Sequence, residues 1–318
     1  MKLYIYKHAN VHTHDKIPEF VGTTPFCQTG IAKHCQIVES PDEADYFYMG
    51  QISDGNMDDP SNPQTEESFV YLKGRETRHI MDLEGDYCAD TRYTACGYGR
   101  TVAPEWALKP IKSCAPTKYA HWVQPIMARP HVSQLLIFLS QNPDVGEIEF
   151  PEEISFGFRG MSGPIPTRAR LAEVLKSTDI KHEITLNADW GGRKGLDSPA
   201  VSAYIDSLYR NLISLCPEST CSATIRFYET CFFGRVPVIV GEQMVMEEGD
   251  YDTSFLYKVN PDCSDAELVS QLQKIYNTPH SELVDKAKAA RQYFFDVVVK
   301  YFQDPTAYMI DWMKRKNL

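Results

Sequence analysis

The chain reads as an α/β protein built from two units, and three observations carry that reading. At 318 residues it is long enough for two domains of ordinary size. Its second half alternates short apolar runs with helical stretches at the interval of βαβ units, which argues for a doubly wound parallel sheet. Within it, Val236–Val240 is a β-branched run interrupted only by Pro237, the pattern of a strand buried on both faces.

Taken in order, Lys2–Tyr6 alternates and predicts a first buried strand. Lys7–Gly22 is a long loop carrying His8, His12 and His14. An H-x-H pair suits a metal only with a third ligand, and a plain loop is the simpler reading. A short helix is expected over Pro25–Cys35, and a strand over Tyr46–Met49 after the one-turn start Pro41–Asp45. Gln51–Glu67 reads as an exposed loop, with Asp58-Asp59 as a solvated acidic pair. Phe69–Leu72 and Arg78–Leu83 read as strands, followed by a turn at Glu84-Gly85-Asp86. Thr91–Pro130 reads as irregular. Val132–Leu139 is too short for its period to separate helix from strand. The polar, acidic stretch Gln141–Glu153, with Pro143 and Pro151, marks the boundary between units.

In the second half, strands are expected at Ile154–Phe158, His182–Leu186, Ser214–Cys216 and Val236–Val240. Helices are expected at Thr167–Ser177, after Ser198-Pro199, and at Ala223–Phe233. Ser198 would cap its helix and Pro199 would open it, while Gly234 would stop the helix before it. Ser281–Leu318 reads as mostly helical with a basic tip.

Composition narrows the function. A net charge of −11 argues against non-specific nucleic-acid binding, which needs a basic face. The nine cysteines are odd in number and contain no C-x-x-C pair, so free thiols in a reducing compartment are expected. No apolar run is long enough to span a bilayer, and the N-terminus turns polar too early for a signal peptide. A soluble, cytoplasmic protein is the expectation. There is no G-x-x-x-x-G-K-S/T loop, no G-x-G-x-x-G after a strand and no G-x-S-x-G elbow, which leaves P-loop enzymes, dinucleotide dehydrogenases and α/β-hydrolases without support.

Ligands of parallel sheets bind at the C-terminal ends of the strands. Three segments of the second half fall there. The first carries Arg159, Gly160 and Ser162, with Arg168 in the next helix. The second carries Gly191, Gly192, Arg193 and Lys194. The third carries Glu218, Ser219, Thr220 and Ser222, ahead of Arg226. Arg226 and Glu229 are three residues apart and so share a helix face. A cation and a carboxylate beside a helix start suit a nucleoside diphosphate, the cation for phosphate and the carboxylate for ribose hydroxyls. A solvated i,i+3 ion pair is the competing reading.

The segment Ala223–Val240, with its I-R-F-Y-E helix, F-F-G-R stop and V-P-V-I-V strand, resembles the C-terminal core of exostosin-like glycosyltransferases, the GT47 group. Arg226, Glu229 and Pro237 fall on matching positions. Tyr204–Pro217, Phe158-Arg159-Gly160 and, in the first half, Pro41–Met49 are similar to further elements of that family. The resemblance implies a GT-B fold, with two Rossmann-like domains facing a cleft. Residues 1–150 would be the acceptor-side domain and 151–290 the nucleotide-sugar domain, with a helix in 291–318 crossing back to the first. It implies inverting, metal-independent transfer from a UDP-sugar to a hydroxyl of a glycan or oligosaccharide acceptor, with no cofactor. Arg226 would contact the diphosphate and Glu229 the ribose, with Arg159, Gly160, Arg168, Arg193 and Ser222 around the nucleotide and Glu242 toward the donor sugar.

An inverting transfer needs a base for the acceptor hydroxyl. The family's H-F-x-F-x-x-H-D-W-G element overlays His79–Cys88, which places Asp86 at its Asp, although Gly85 stands where the family has His. Glu84, Asp82 and Asp54 compete for the role. The weaker match of the first half keeps open a catalytically inactive, exostosin-like protein that binds a glycan or a partner. Many family members are anchored in the Golgi membrane, and this chain shows no such anchor.

Overall fold

The computed structural model describes residues 1–7, 9, 28–53, 70–71, 75, 78–84, 100–104, 126–129, 138–139, 142, 148–162, 166–187, 198–217, 225–241 and 251–315. These residues form an α/β structure with two sheets, in which every strand pairing is parallel. The first sheet contains β1 (Lys2–Ile5), β2 (Gln36–Ile37), β3 (Tyr46–Ser53), β4 (His79–Glu84), β5 (Arg100–Pro104) and β6 (Ile126–Arg129), in the order β2-β1-β3-β4-β5-β6. The second contains β7 (Phe156–Met161), β8 (His182–Asn187), β9 (Ile213–Pro217), β10 (Val236–Val240) and β11 (Tyr257–Val259), in the order β11-β10-β9-β7-β8. Each sheet therefore reverses its winding once, between β1 and β3 and between β7 and β9. A crevice opens outside the strand ends where winding reverses.

Several expectations for the first half need correction. The strand expected to stop at Met49 continues to Ser53, because pairing with β4 resumes after an irregularity between Tyr48 and Gln51. Gly50 sits in that irregularity at φ 94°, a conformation that L side chains rarely adopt. Val70 and Tyr71 lie in a turn, not in the strand expected over Phe69–Leu72. The stretch read as irregular contains β5 and β6, which are only five and four residues long. In the second half β7 runs on to Met161, so Arg159 and Gly160 end a strand and do not open a loop.

The helices are α1 (Gln28–His34), α2 (Pro166–Lys176), α3 (Pro199–Arg210), α4 (Ile225–Phe232), α5 (Asp265–Tyr276), α6 (His280–Tyr293), a π-helical stretch Phe294–Val299, α7 (Lys300–Gln303) and α8 (Pro305–Arg315). Local chemistry sets many of their ends. The Ser198 hydroxyl accepts from the Val201 amide at 3.3 Å while Pro199 opens α3. Gly234, at φ 56°, closes the turn after α4. Helix α5 and strand β11 were not expected. The Ser264-x-x-Glu267 capping box that starts α5 is plain in the sequence and signals it.

Helix α4 decides the architecture. Every residue from Arg226 to Phe232 is buried, so α4 is enclosed between β9 and β10 on one side and α6 and the π-helical stretch on the other. Strand β10 is buried at all five positions despite Pro237. The Val236 amide bonds to Leu212 on the β9 side, so the position of the missing proline N–H faces the β11 side. There pairing begins only at Val238, and no ladder bond is lost.

Arg235, between the α4 turn and β10, is 1% exposed. Its guanidinium donates to five carbonyls, those of Leu208, Tyr209, Phe233, Gly234 and Glu149, at 2.9–3.1 Å. Burial brings its pKa down to about 10, with Tyr209 opposing.

The last helices leave the second sheet and reach the first. Helix α8 packs on α1, and one apolar cluster joins Leu3, Tyr48 and Ile80 to Phe232, Phe294, Tyr301 and Met309. Asp304, before α8, accepts hydrogen bonds from Lys33, from His34 at 2.8 Å and from the Ala307 amide at 3.0 Å. Burial opposes its charge, but these bonds outweigh burial and hold its pKa near 2. A carboxylate with a depressed pKa stabilises the fold above its unfolded value and loses that contribution as pH falls toward the folded value. Stability of the wild type should therefore drop between pH 4 and pH 2 in urea titrations. Asp304→Asn should flatten that drop and cost roughly 1–3 kcal/mol at pH 7.

Candidate functional site

The site is built where the second sheet reverses its winding. Arg226, from the first turn of α4, reaches across that point. Its Nε donates to the Ser214 hydroxyl on β9 at 3.0 Å, and its Nη1 donates to the Arg159 carbonyl on β7 at 3.2 Å. Thr230, one turn along α4, also donates to the Ser214 hydroxyl at 3.0 Å. Only 5% of Arg226 is exposed, yet among the described residues its Nη2 has no hydrogen-bond partner.

Aromatic rings flank this guanidinium. Its carbon lies 5.2 Å from the centre of the Phe158 ring and 5.0 Å from that of Tyr204. Arg168, from α2, sits over the same Phe158 ring at 5.7 Å and donates through Nη1 to the Met161 carbonyl at 3.0 Å. Its Nε is buried and has no partner among the described residues. Burial, and next the repulsion of Arg226, hold the Arg168 guanidinium below the ordinary arginine value. Gly160 makes room for this stacking, since a Cβ there would stand 3.0 Å from the tip of Phe158.

Glu229 is 6% exposed. Among the described residues its side chain takes a hydrogen bond from the Tyr204 hydroxyl and none from Arg226. The solvated Arg226–Glu229 ion pair is thus not what forms. Burial raises the Glu229 carboxyl above the ordinary range, against the lowering effects of Tyr204 and of the nearby Arg226 charge. Burial, then Glu229, raises the Tyr204 hydroxyl well above its usual value. Cys216, within 3.6 Å of the Thr230 hydroxyl, is pushed up to about 11 by burial and stays a thiol.

These groups form a largely buried cationic cluster where the sheet reverses its winding. Among the described residues, two guanidiniums share one ring with no carboxylate bridging them, and each keeps a buried nitrogen unmatched. A buried donor without an acceptor is costly. Rings stabilise a cation by about 0.5–2 kcal/mol without neutralising it, and the Arg226 charge also acts on the nearby Glu229 carboxyl.

Of the nucleotide-side residues named from the sequence, the structure brings Arg159, Gly160, Arg168, Arg226 and Glu229 to one strand edge. Arg159 contributes its carbonyl to Arg226, and its guanidinium has no partner among the described residues. Arg193, Ser222, Glu242, Asp54 and Asp86 lie outside the described residues, as do His8, His12, His14 and the Asp58-Asp59 pair. Asp82 and Glu84 are in β4, in register with Gln51 and Ser53 at the C-terminal end of β3. Sequence reasoning missed Phe158, Tyr204 and Ser214 as parts of the site. That Phe158 lies in a strand was legible, although the strand runs on past it to Met161, but the contacts of all three come from tertiary packing.

Residues 157–280 match the family described as the RXYLT1 C-terminal domain, a glycosyltransferase family. That stretch contains β8 to β11, all of β7 but its first residue, and the residues around Arg226 described above. It is less than half of the chain, and it supports a glycosyltransferase without singling out the exostosin-like group. No curated protein matches the chain significantly in sequence. Among solved structures, an alpha1,3-fucosyltransferase crystallised with GDP aligns over 94% of this chain and 90% of its own, at 11% identity and a TM-score of 0.37. Likeness at that level carries no argument. Among the described residues, no helix is long and apolar enough to cross a membrane.

Proposed function

We propose that the chain is a glycosyltransferase that holds a nucleoside-diphosphate sugar at the C-terminal edge of the second sheet. The observation that carries the proposal is Arg226: buried, placed at the reversal of winding, close to two aromatic rings, and left among the described residues with an unmatched Nη2. A diphosphate supplies the acceptors that Arg226 and Arg168 lack, and Glu229 accepts from the ribose hydroxyls. The donor is a UDP-sugar, the acceptor a glycan hydroxyl, and transfer is inverting and needs no metal. Two parallel sheets, each with one reversal, and terminal helices that return to α1 support a GT-B arrangement. In it, residues 1–150 take the acceptor, 151–290 the donor, and 291–318 cross back. The base comes from the acceptor side, from Asp86, Glu84, Asp82 or Asp54.

UDP release from a panel of UDP-sugars, with and without oligosaccharide acceptors, tests the reading. At least one donor should turn over. The amide variant of the true base should lose turnover by about 100-fold or more while its affinity for UDP is kept. UDP binding with no turnover of any donor and acceptor would favour an inactive glycan- or partner-binding protein. Absence of UDP binding would refute the donor site.

A further inference from the structure

Resting on that donor-site reading, we infer that Tyr204 is the positioning residue that joins the phosphate half of the site to the ribose half. Its hydroxyl donates to Glu229 Oε2, and the face of its ring lies 5.0 Å from the Arg226 guanidinium carbon. No other described side chain touches both residues in this way. Tyr204 comes from α3, which packs on β7, whereas Arg226 and Glu229 come from α4. One side chain from a neighbouring helix therefore fixes both groups relative to the strand ends.

The two contacts do different work. The ring stabilises Arg226 without cancelling its charge, as Phe158 does on the other side at 5.2 Å. The hydroxyl occupies one carboxylate oxygen of Glu229, leaving Oε1 for a ligand, and favours the ionised form. Among the described residues the titratable groups facing Glu229 are Tyr204 from α3, Arg226 from its own helix and Cys216 from β9, with Arg168 from α2 acting on Arg226 and Tyr204. Cys216 stays neutral, so Tyr204 and Arg226 are the groups that oppose the effect of desolvation on the buried carboxyl.

The sign of the pH effect follows. Removing the hydroxyl removes a lowering influence, so the Glu229 pKa rises. The acid limb of ribose-dependent binding then moves to higher pH. The phosphate contacts stay as they were so long as a ring remains over Arg226.

Titration calorimetry of UDP and of inorganic pyrophosphate, from pH 5 to pH 9, separates the two roles. Tyr204→Phe should weaken UDP by about tenfold near pH 6, shift the acid limb of UDP affinity upward, and leave pyrophosphate affinity unchanged. Tyr204→Leu should weaken both ligands. In a Glu229→Gln background, Tyr204→Phe should cost nothing further for UDP, because it acts through the carboxylate. The inference is overturned if Tyr204→Phe binds UDP like the wild type across the range, or if it weakens UDP and pyrophosphate in equal proportion. If the wild type binds neither ligand, or if Arg226→Met binds both unchanged, the donor-site reading itself falls and the role of Tyr204 with it.

Discussion

Arg226→Met should lower affinity for UDP by about 100-fold or more, because truncating a buried charged partner of a ligand typically costs 2–5 kcal/mol. Fold stability should stay within about 1 kcal/mol of the wild type. The two outcomes belong together. In the unliganded protein Arg226 is a buried cation that, among the described residues, has an unmatched Nη2 and no hydrogen bond to a carboxylate, although its charge acts on Glu229, and replacing such a group by an apolar side chain of similar length is often neutral or stabilising. Its bonds to Ser214 and Arg159 are lost, but Ser214 keeps Thr230 as a donor. Calorimetry with UDP and urea denaturation check the two halves. Large destabilisation with intact UDP binding would make Arg226 a structural residue.

Arg235→Met should show the opposite signature. Arg235 is the more buried of the two arginines, and all its donors are matched, to carbonyls at the end of α3, in the turn after α4 and at Glu149. Removing it leaves several buried carbonyls without a donor, at about 1–3 kcal/mol each when no water replaces it. A loss of about 4 kcal/mol or more is expected, among the largest for a single change. Arg235→Lys should recover only part of this, since an ammonium cannot reach carbonyls spread across a planar fork. UDP affinity, measured where the variants remain folded, should be unchanged. Two arginines nine residues apart would then divide cleanly, one needed for ligand and the other for the fold.

The sequence did not distinguish them. Arg235 follows Gly234 at a helix stop, and nothing in its local sequence marks it as buried. Its burial depends on α3 and on the segment near Glu149, which only tertiary packing brings together. Arg226 could be singled out, because its spacing to Glu229 puts both on one face of a helix and the strand ends around it gather cations. Its partners could not: the rings of Phe158 and Tyr204 and the hydroxyl of Ser214 belong to three other elements.

The fold was legible in the same uneven way. Four of the five strands of the second sheet, all but β11, could be read from apolar runs, from Ser198-Pro199 and from Gly234, where local chemistry and packing agree. In the first sheet, β5 and β6 carry too few residues for a period to show. Strand β3 outlasts its apolar run because pairing with β4, a non-local event, extends it past Gly50.

The most direct measurement is a crystal structure of the chain with UDP bound. A diphosphate oxygen should lie within hydrogen-bond distance of Arg226 Nη2, Arg168 should face the same phosphates, and the ribose hydroxyls should meet Glu229. UDP bound away from the C-terminal ends of β7 and β9, or no UDP density at saturating concentration, would contradict the account.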